Sequence, residues 1–250
     1  MKKLFTLLLL SLITFNVYGF TDSDFDGVDD SVDKCPHTPF DVLVGSDGCP
    51  LEKYRGTFYF KLGVGYTKDN DYNNSLINAS LGYAYKNWYV SILSNYYTND
   101  SDLDKSGVGD TYLYGSYTFS LNNFYITPGL TLKIPTASDG FGTGNYDVSP
   151  SLTADYIFSK LDIFAYYGYI FRGSDDLDDN YTISLGLGYQ ITDPLYLSLS
   201  FDTDKNESKY LSLFGIYDFT DKYYSTLNLS YGLNDLSTDL YVSLKFGIRF

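Results

Sequence analysis

The chain contains the segment Leu240-Tyr241-Val242-Ser243-Leu244-Lys245-Phe246-Gly247-Ile248-Arg249-Phe250, in which apolar and polar side chains alternate. Because successive side chains of a β-strand point to opposite faces, one face of this segment is wholly apolar and the other carries two cations. The pattern predicts a strand whose apolar face is covered either by lipid or by the core of a soluble protein.

The same alternation recurs from Tyr54 onward, in segments separated by turn residues. We predict twelve strands, near residues 55–67, 74–86, 87–98, 110–121, 123–134, 146–158, 160–172, 180–191, 194–203, 208–219, 222–232 and 238–250. In several of them Tyr or Phe brackets the apolar face, as the two interfaces of a bilayer favour. Aromatic residues make up 19% of the chain, with 28 Tyr, 18 Phe and a single Trp, which is typical of interfacial girdles.

The connections between the predicted strands alternate in length. Tight turns are expected at residues 86–87, 121–123, 159–160, 192–193 and 220–221, and longer polar loops near 68–73, 99–109, 135–145, 173–179, 204–207 and 233–237. This asymmetry is typical of outer-membrane barrels. We therefore predict an all-β fold, a single antiparallel transmembrane β-barrel of about 12 strands at residues 54–250. A soluble β-sandwich, the alternative, would rarely keep this alternation through so many segments.

The first 19 residues have the features of a secretory signal peptide. Lys2 and Lys3 precede an apolar stretch at residues 4–15 and a small-residue site at residues 17–19, so cleavage after Gly19 is expected. No other stretch approaches the roughly 18 apolar residues that a membrane helix needs. We expect a protein of the bacterial outer membrane that crosses it with strands, and an even strand count would place both termini in the periplasm.

An acidic segment near the expected mature N-terminus has the ligand spacing of a calcium loop. Gly27 stands at the sixth of its twelve positions, where the chain must bend sharply, and the seventh position contributes a backbone carbonyl. The predicted Ca²⁺ ligands are Asp22, Asp24, Asp26, Val28, Asp30 and Asp33. The alternative is a solvated acidic linker, but six aspartates in twelve residues would repel one another without a counter-ion.

The chain has two cysteines, Cys35 and Cys49. In an exported protein they are expected to form one disulfide, with metal binding or a free thiol pair as alternatives. Residues 22–50, which include Cys35-Pro36-His37-Thr38-Pro39 and Gly45-Ser46-Asp47-Gly48-Cys49-Pro50, resemble a thrombospondin type 3 repeat. The resemblance implies that the aspartates hold calcium and that the cysteines staple the return segment. Residues 20–53 are accordingly predicted to form a calcium-binding module.

Two further resemblances concern the predicted barrel. Residues 107–111 (Gly-Val-Gly-Asp-Thr), 128–136 (Pro-Gly-Leu-Thr-Leu-Lys-Ile-Pro-Thr) and 142–147 (Gly-Thr-Gly-Asn-Tyr-Asp) resemble an outer-membrane family of transporters linked to phenol meta-cleavage. That resemblance implies a barrel that passes small, often aromatic or apolar, compounds. The last strand resembles the closing strand and assembly signal of outer-membrane barrels, which implies that Phe250 contacts the barrel-assembly machinery.

The formal net charge of −14 argues against nucleic acid as a partner, because phosphate binding needs a basic face. The single histidine, His37, lies in the calcium-binding module, so the predicted barrel lacks the base that a Ser-His arrangement needs. No enzymatic activity is expected.

Lipid and lipopolysaccharide are the expected surroundings of the barrel. The acidic loops at residues 99–104 and 175–179 would either gather divalent ions that bridge lipopolysaccharide phosphates or form a hydrated rim.

The inward face of the predicted barrel carries charges of both signs. The lumen candidates are Lys61, Lys133, Lys245 and Arg249, with Asp147, Asp155, Asp162 and Asp202 opposing them. Small residues are expected to leave room between them, namely Gly63, Gly65, Gly129, Gly186 and Gly188. Mixed charge on opposite walls suits a channel or transporter for small solutes. The alternative is a structural protein with a filled lumen and paired charges, whose N-terminal module acts as a spacer or a partner-binding site.

Overall fold

The structure, a computed structural model, describes residues 22–24, 27–36, 44–49, 56–70, 72–174 and 176–250. The chain divides into two compact units, Met1–Tyr54 and Arg55–Phe250. The predicted signal peptide lies outside the described residues, as do Asp26 and His37. None of the described residues forms a helix long and apolar enough to cross a membrane.

The second unit is built from antiparallel strands. They are β1 (Thr57–Asp69), β2 (Tyr72–Tyr85), β3 (Trp88–Asp100), β4 (Lys105–Tyr117), β5 (Phe119–Leu121), β6 (Phe124–Ile134), β7 (Asp147–Phe158), β8 (Leu161–Ile170), β9 (Asn180–Thr192), β10 (Leu195–Asp204), β11 (Lys209–Asp218), β12 (Tyr223–Gly232) and β13 (Leu240–Arg249). Consecutive strands pair with each other except β4 and β5, which both pair with β6, and β1 pairs with β13. The three-residue β5 continues β4 beyond Thr118 and pairs with the start of β6.

The sheet closes into a barrel through the pairing of β1 with β13. At this seam Phe58 N donates to Phe250 O over 2.8 Å and Phe250 N donates to Phe58 O over 3.0 Å. Closure removes the unpaired strand edges that hydrocarbon does not tolerate. The predicted barrel of about 12 strands is therefore confirmed, with the short β5 as one extra strand.

The barrel is apolar outside and polar inside. Val64, Leu185 and Phe246 are 59%, 60% and 58% exposed, whereas Asn78 and Ser243 are 3% and 1% exposed. Among the described residues only two hydrophobic side chains are buried, Leu76 and Tyr224. A β-sandwich would show the opposite distribution, because its apolar faces pack against each other. The apolar face of each strand is therefore available to lipid.

The two ends of the barrel differ. One end, called the turn end, carries the short connections after β2, β5, β7, β9 and β11, and the other is called the loop end. Outward-facing aromatic pairs lie at the turn end, such as Trp88 with Tyr117 at 4.9 Å between ring centroids and Phe124 with Tyr156 at 4.6 Å. Such a girdle marks the level at which a bilayer meets water.

Two loops at the loop end are shorter than predicted. The expected loop near 68–73 is reduced to residues 70 and 71, and the one near 99–109 to residues 101–104. The pairing of Asn74 with Asp100 and of Asp100 with Lys105 extends the strands into polar sequence. Beyond the lipid both faces of a strand contact water. The alternation of apolar and polar side chains therefore disappears there, while the backbone pairing continues.

Candidate functional site: the barrel interior

The inward glycines are covered by neighbouring side chains. A Cβ on Gly129 would lie 2.8 Å from the Tyr114 ring, and one on Gly65 would lie 3.0 Å from Leu76 Cδ1. The same arrangement holds for Gly63 beneath Lys245, Gly186 beneath Phe164 and Gly188 beneath Tyr196. The prediction that these five glycines leave room was therefore wrong. They let large side chains lie flat against the wall, so three aromatic rings, one leucine and one lysine cover these positions of an otherwise polar interior.

A buried ionic cluster closes part of the loop end. Lys133 Nζ lies 2.8 Å from Asp147 Oδ2 and 3.8 Å from Asp110 Oδ2, and Arg172 Nη1 lies 3.0 Å from the same Asp147 oxygen. The side chains of Lys133, Asp110 and Asp147 are only 7%, 5% and 4% exposed. Two cations and two carboxylates balance, as a buried charge requires. We call these four residues the loop-end cluster.

The loop-end cluster holds the connection between β6 and β7, residues 135–146, against the inner wall. Lys133 Nζ donates to Thr143 Oγ1 over 2.6 Å, and Ala137 N donates to Asp110 Oδ1 over 3.2 Å. The Phe141 ring stacks on the inward Tyr97 at 5.1 Å between centroids and lies over Gly107. This inward-folded loop narrows the mouth of the barrel.

A second group of charges lies nearer the turn end. Lys61 pairs with Gly247 and Lys245 with Gly63, so the two lysines are diagonal neighbours across the β1–β13 seam. Asp155 pairs with Phe164 and Asp162 with Ile157, which makes the carboxylates diagonal neighbours across β7 and β8. In the ring of twelve, β1 and β13 stand six strand positions from β8 and β7. The two lysines therefore face the two carboxylates across the lumen.

These four charges have no ion-pair partner among the described residues. Asp162 Oδ2 accepts a hydrogen bond from Tyr196 Oη at 2.7 Å, while its Oδ1 has none. With strands about 4.8 Å apart and tilted by roughly 40°, the backbone of a 12-stranded barrel is roughly 24 Å across, too wide for direct contact between the lysines and the carboxylates. We call them the cross-lumen charges.

The remaining lumen candidates are engaged locally. Arg249 Nη2 lies 2.7 Å from Asp218 Oδ1, and its guanidinium lies 4.3 Å from the Tyr224 ring centroid. Asp202 accepts a hydrogen bond from Ser200 Oγ at 3.3 Å. The eight candidates therefore separate into the cluster members Lys133 and Asp147, the four cross-lumen charges, and these two satisfied side chains.

The sequence pattern does not identify Asp110 and Arg172 as site residues. Asp110 lies on the inward face of β4 with Tyr112 and Tyr114, as the two-residue periodicity of a strand predicts. The signal was obscured because Tyr112, Leu113 and Tyr114 are aromatic or apolar on both faces. Arg172 lies beyond the end of β8, where the alternation of a strand no longer indicates whether a side chain points into the barrel.

The described part of the acidic N-terminal loop is closed by its own hydrogen bonds. Gly27 N donates to Asp22 Oδ2 over 2.9 Å, and both the backbone N and the Oγ of Ser23 donate to the Asp30 carboxylate. Asp33 Oδ1 accepts from Cys35 N at 2.8 Å. Asp22 Oδ1 is buried with no hydrogen-bond partner. Within the described residues no three acidic, His or Cys side chains form a metal-binding group, and Asp26 is not among them.

Cys35 and Cys49 form the expected disulfide, with their Cα atoms 4.9 Å apart. Lys34 N donates to Asp47 O over 2.9 Å, and the Lys34 and Asp47 side chains pair at 3.7 Å. The disulfide thus joins the segment that follows the acidic loop to the return segment.

The predicted acidic outer loops use several carboxylates internally. Asp100 accepts hydrogen bonds from Tyr72 Oη and from the backbone N of Asp102 and Leu103. Asp179 accepts from Tyr169 Oη and Arg172 N. Asp175 lies outside the described residues. These carboxylates cap the loops in which they lie.

Comparison with known proteins agrees with this architecture. A family described as type IX secretion system membrane protein PorP/SprF matches residues 65–223. Outer membrane porin F of Pseudomonas aeruginosa is 63% identical over 30 residues, which are 12% of this chain and 9% of that protein. The chain therefore matches only a small part of that curated relative.

Several solved outer-membrane proteins share the fold. An outer membrane channel from Pseudomonas putida F1 gives a TM-score of 0.62 at 15% identity, covering 81% of this chain and all of that chain. The NanC porin gives 0.55 at 14% identity over 76% of this chain and 98% of its own. The KdgM porin in complex with disordered oligogalacturonate gives 0.52 at 13% identity, covering 78% and 98%. Identities this low show a common barrel fold and nothing further.

Proposed function

This chain belongs to the family of type IX secretion system membrane proteins PorP/SprF, and we propose that it is a narrow channel for small solutes in the bacterial outer membrane. The observation that supports this is the set of cross-lumen charges. A buried, unpaired ion costs several kcal/mol. Lys61, Lys245, Asp155 and Asp162 have no ion-pair partner in the described structure, and we infer that water in the lumen hydrates them. A continuous water column at their level is the requirement for conduction.

The cross-lumen charges also set the expected selectivity. Cations on the β1–β13 wall and carboxylates on the β7–β8 wall create a field across the pore, which acts on charged and dipolar solutes. The aromatic side chains over the inward glycines narrow the remaining space. We infer that the solutes are small and polar, with both walls contributing to their passage.

Single-channel recording in planar bilayers tests this proposal. The purified protein should show a small, discrete conductance. Lys61→Gln/Lys245→Gln should shift the reversal potential in a salt gradient toward cation preference, and Asp155→Asn/Asp162→Asn toward anion preference. Lys222→Gln, at the turn after β11, is the matched control and should leave the potential unchanged. A silent bilayer with correctly folded protein would contradict the proposal.

A second candidate function is that of a membrane component with a closed lumen, which would serve the secretion system named by the family. The loop-end cluster favours it, because four paired charges and an inward-folded loop obstruct the mouth. Deleting residues 137–144 separates the two ideas. A larger conductance of the deletion variant would identify the loop as a constriction in a channel, whereas the absence of any conductance would favour the closed component.

We also propose that the N-terminal module, residues 20–53, binds calcium. Its carboxylate oxygens are ligands that Ca²⁺ prefers, and the unpartnered Asp22 Oδ1 is available to an ion. Asp30 would exchange its hydrogen bonds from Ser23 for the ion. Equilibrium dialysis with ⁴⁵Ca should find one or two ions per chain, with tight binding lost in Asp22→Asn and kept in Asp47→Asn. Equal binding by both variants would contradict the assignment.

The module would face the periplasm, with both termini, and would act as a plug or a spacer. Removing residues 20–50 distinguishes the two. If the module is a plug, the conductance should become larger; if it is a spacer, partner binding should be lost at unchanged conductance.

We propose further that the strand ending at Phe250 contacts the barrel-assembly machinery, that the loop end faces lipopolysaccharide, and that the protein has no enzymatic activity. Protease protection in intact cells tests the orientation.

A further inference from the structure

The lipid-facing wall of β2, β3, β4 and β6 contains a groove of about 600 Å³. Its sides are apolar and outward-facing, and they include Leu81, Val90, Ile92 and Leu130, which are 44–52% exposed. This volume lies within the range of small-ligand sites, roughly 300–1,000 Å³. The rest of the barrel wall offers a comparison, since a second depression at β8–β11 holds only about 170 Å³.

Gly115 is the cause of the groove. It faces outward on β4, paired with Val90 on one side and Leu130 on the other. A Cβ built on Gly115 would meet only Val90 Cγ1, at 3.9 Å, so the space beside it is open. The outward Gly215 on β11 differs, because Leu197 Cδ2 would lie 2.9 Å from its Cβ and already fills that place. The groove is thus a property of one missing side chain.

The turn-end edge of the groove has the features of a headgroup site. Lys86 lies at the turn between β2 and β3, three residues beyond Tyr83 and therefore roughly 10 Å along the strand, with Nζ 5.6 Å from the Tyr85 ring centroid. The Phe58–Tyr83 ring pair, at 4.6 Å, flanks this turn on one side. The Trp88–Tyr117 pair, at 4.9 Å, flanks it on the other. A cation between two aromatic pairs stands at the level of lipid phosphates.

We propose that this groove is a specific site for one anionic phospholipid, with an acyl chain against Gly115 and the headgroup phosphate at Lys86. Phosphate is the complementary partner of a lysine ammonium, and an apolar groove whose lining reaches Phe58 and Tyr83, three residues before Lys86 in the chain, fits an acyl chain. We assign a lipid to the groove because an interfacial cation, Lys86, lies in the turn next to the aromatic residues that line one end of it.

Trp88 provides the test, because it is the only tryptophan of the chain, is 57% exposed and lies beside the headgroup end. The protein is reconstituted in phosphatidylcholine that contains a small fraction of brominated phosphatidylglycerol, and quenching of Trp88 is measured. The wild type should be quenched as if the brominated lipid were enriched about fivefold at the site, the preference that roughly 1 kcal/mol for one interfacial lysine gives.

Four variants define the site. Lys86→Ala should lower the quenching to that given by brominated phosphatidylcholine at the same fraction, and Gly115→Leu should do so by filling the groove. The matched controls are Lys222→Ala, a turn lysine whose Nζ lies 5.8 Å from the Tyr223 ring centroid, and Gly215→Leu. Both should behave as the wild type. If Gly115→Leu or Gly215→Leu does not fold, as judged by its mobility on unheated gels, Gly115→Val or Gly215→Ala replaces it.

Three results would overturn the proposal. Wild-type quenching by brominated phosphatidylglycerol and phosphatidylcholine could be equal, which would show no preference. Gly115→Leu could be quenched as strongly as the wild type, which would place the lipid elsewhere. A cross-linked dimer present in the wild type and absent in Gly115→Leu would assign the groove to a second copy of the chain.

Discussion

Replacing Lys133 by methionine should release the loop at residues 135–146 from the inner wall. Lys133 is the only cation within 4 Å of Asp110 among the described residues and also contacts Asp147 and Thr143. Methionine keeps the length and the apolar stem of the side chain but removes the charge. Asp110, only 5% exposed, would then be a buried carboxylate whose remaining support is the hydrogen bond from Ala137 N.

The size of the effect follows from this arrangement. Removing one partner of a buried ion pair costs about 3–5 kcal/mol, and the lower value applies here because Arg172 remains 3.0 Å from Asp147. A change of about 3 kcal/mol shifts the equilibrium between the attached and released loop on the order of 100-fold toward release. Lys133→Met/Asp110→Asn should recover part of this, because the second substitution removes the uncompensated charge.

Chymotrypsin digestion of the folded protein in detergent measures the released state. Phe141 is protected in the attached loop by its stacking on Tyr97, so cleavage after Phe141 should be much faster in Lys133→Met than in the wild type. Lys160→Met, at the exposed turn between β7 and β8, should cleave as the wild type does. Equal protection of Phe141 in Lys133→Met and the wild type would refute the assignment of the loop-end cluster as the anchor.

Three further substitutions test other parts of the structure. Gly188→Leu collides with the Tyr196 ring and should lower the free energy of unfolding by about 1–3 kcal/mol, whereas Gly115→Ala should change it by less than about 0.5 kcal/mol; urea titration in micelles compares the two. Arg249→Ala loses an ion pair with Asp218 in which the two side chains are 24% and 37% exposed, and it should cost about 1 kcal/mol, less at high salt; a cost independent of salt would contradict this expectation. Cys35→Ser/Cys49→Ser should destabilise the N-terminal module by about 3 kcal/mol, seen as faster proteolysis there, while the barrel keeps its gel mobility.

The fold was largely predictable because lipid imposes the same rule on every strand. An apolar side chain at every second position is visible in sequence, as Leu240 to Phe250 shows, and each of the twelve predicted strands is present. The prediction failed where lipid no longer applies. Asn73, Asn74 and Asp100 pair as strand residues although both of their faces are polar, so the strands end later than the alternation does.

The interior was less predictable, because alternation gives the direction of a side chain but not its partner. Lys133 and Asp147 were recognised as inward residues, and their direct pairing between β6 and β7 follows from the register. The rest of the loop-end site depends on how residues 135–146 fold back and on Arg172 beyond β8. Neither segment shows the alternation of a strand. The covering of Gly186 by Phe164 depends on cross-strand register, which single-sequence patterns do not fix.

The β1–β13 pairing has a kinetic consequence. Tyr59 and Arg249 are partners although nearly the whole barrel sequence separates them, so closing this ring carries a large loop entropy that the hairpins along the chain do not. Until it forms, β1 and β13 are edge strands with unpaired backbone groups, which can pair with other chains and cause aggregation. Ring closure is therefore the expected slow step of biogenesis, and weakening the reciprocal Phe58–Phe250 bonds should delay maturation more than it lowers the final stability.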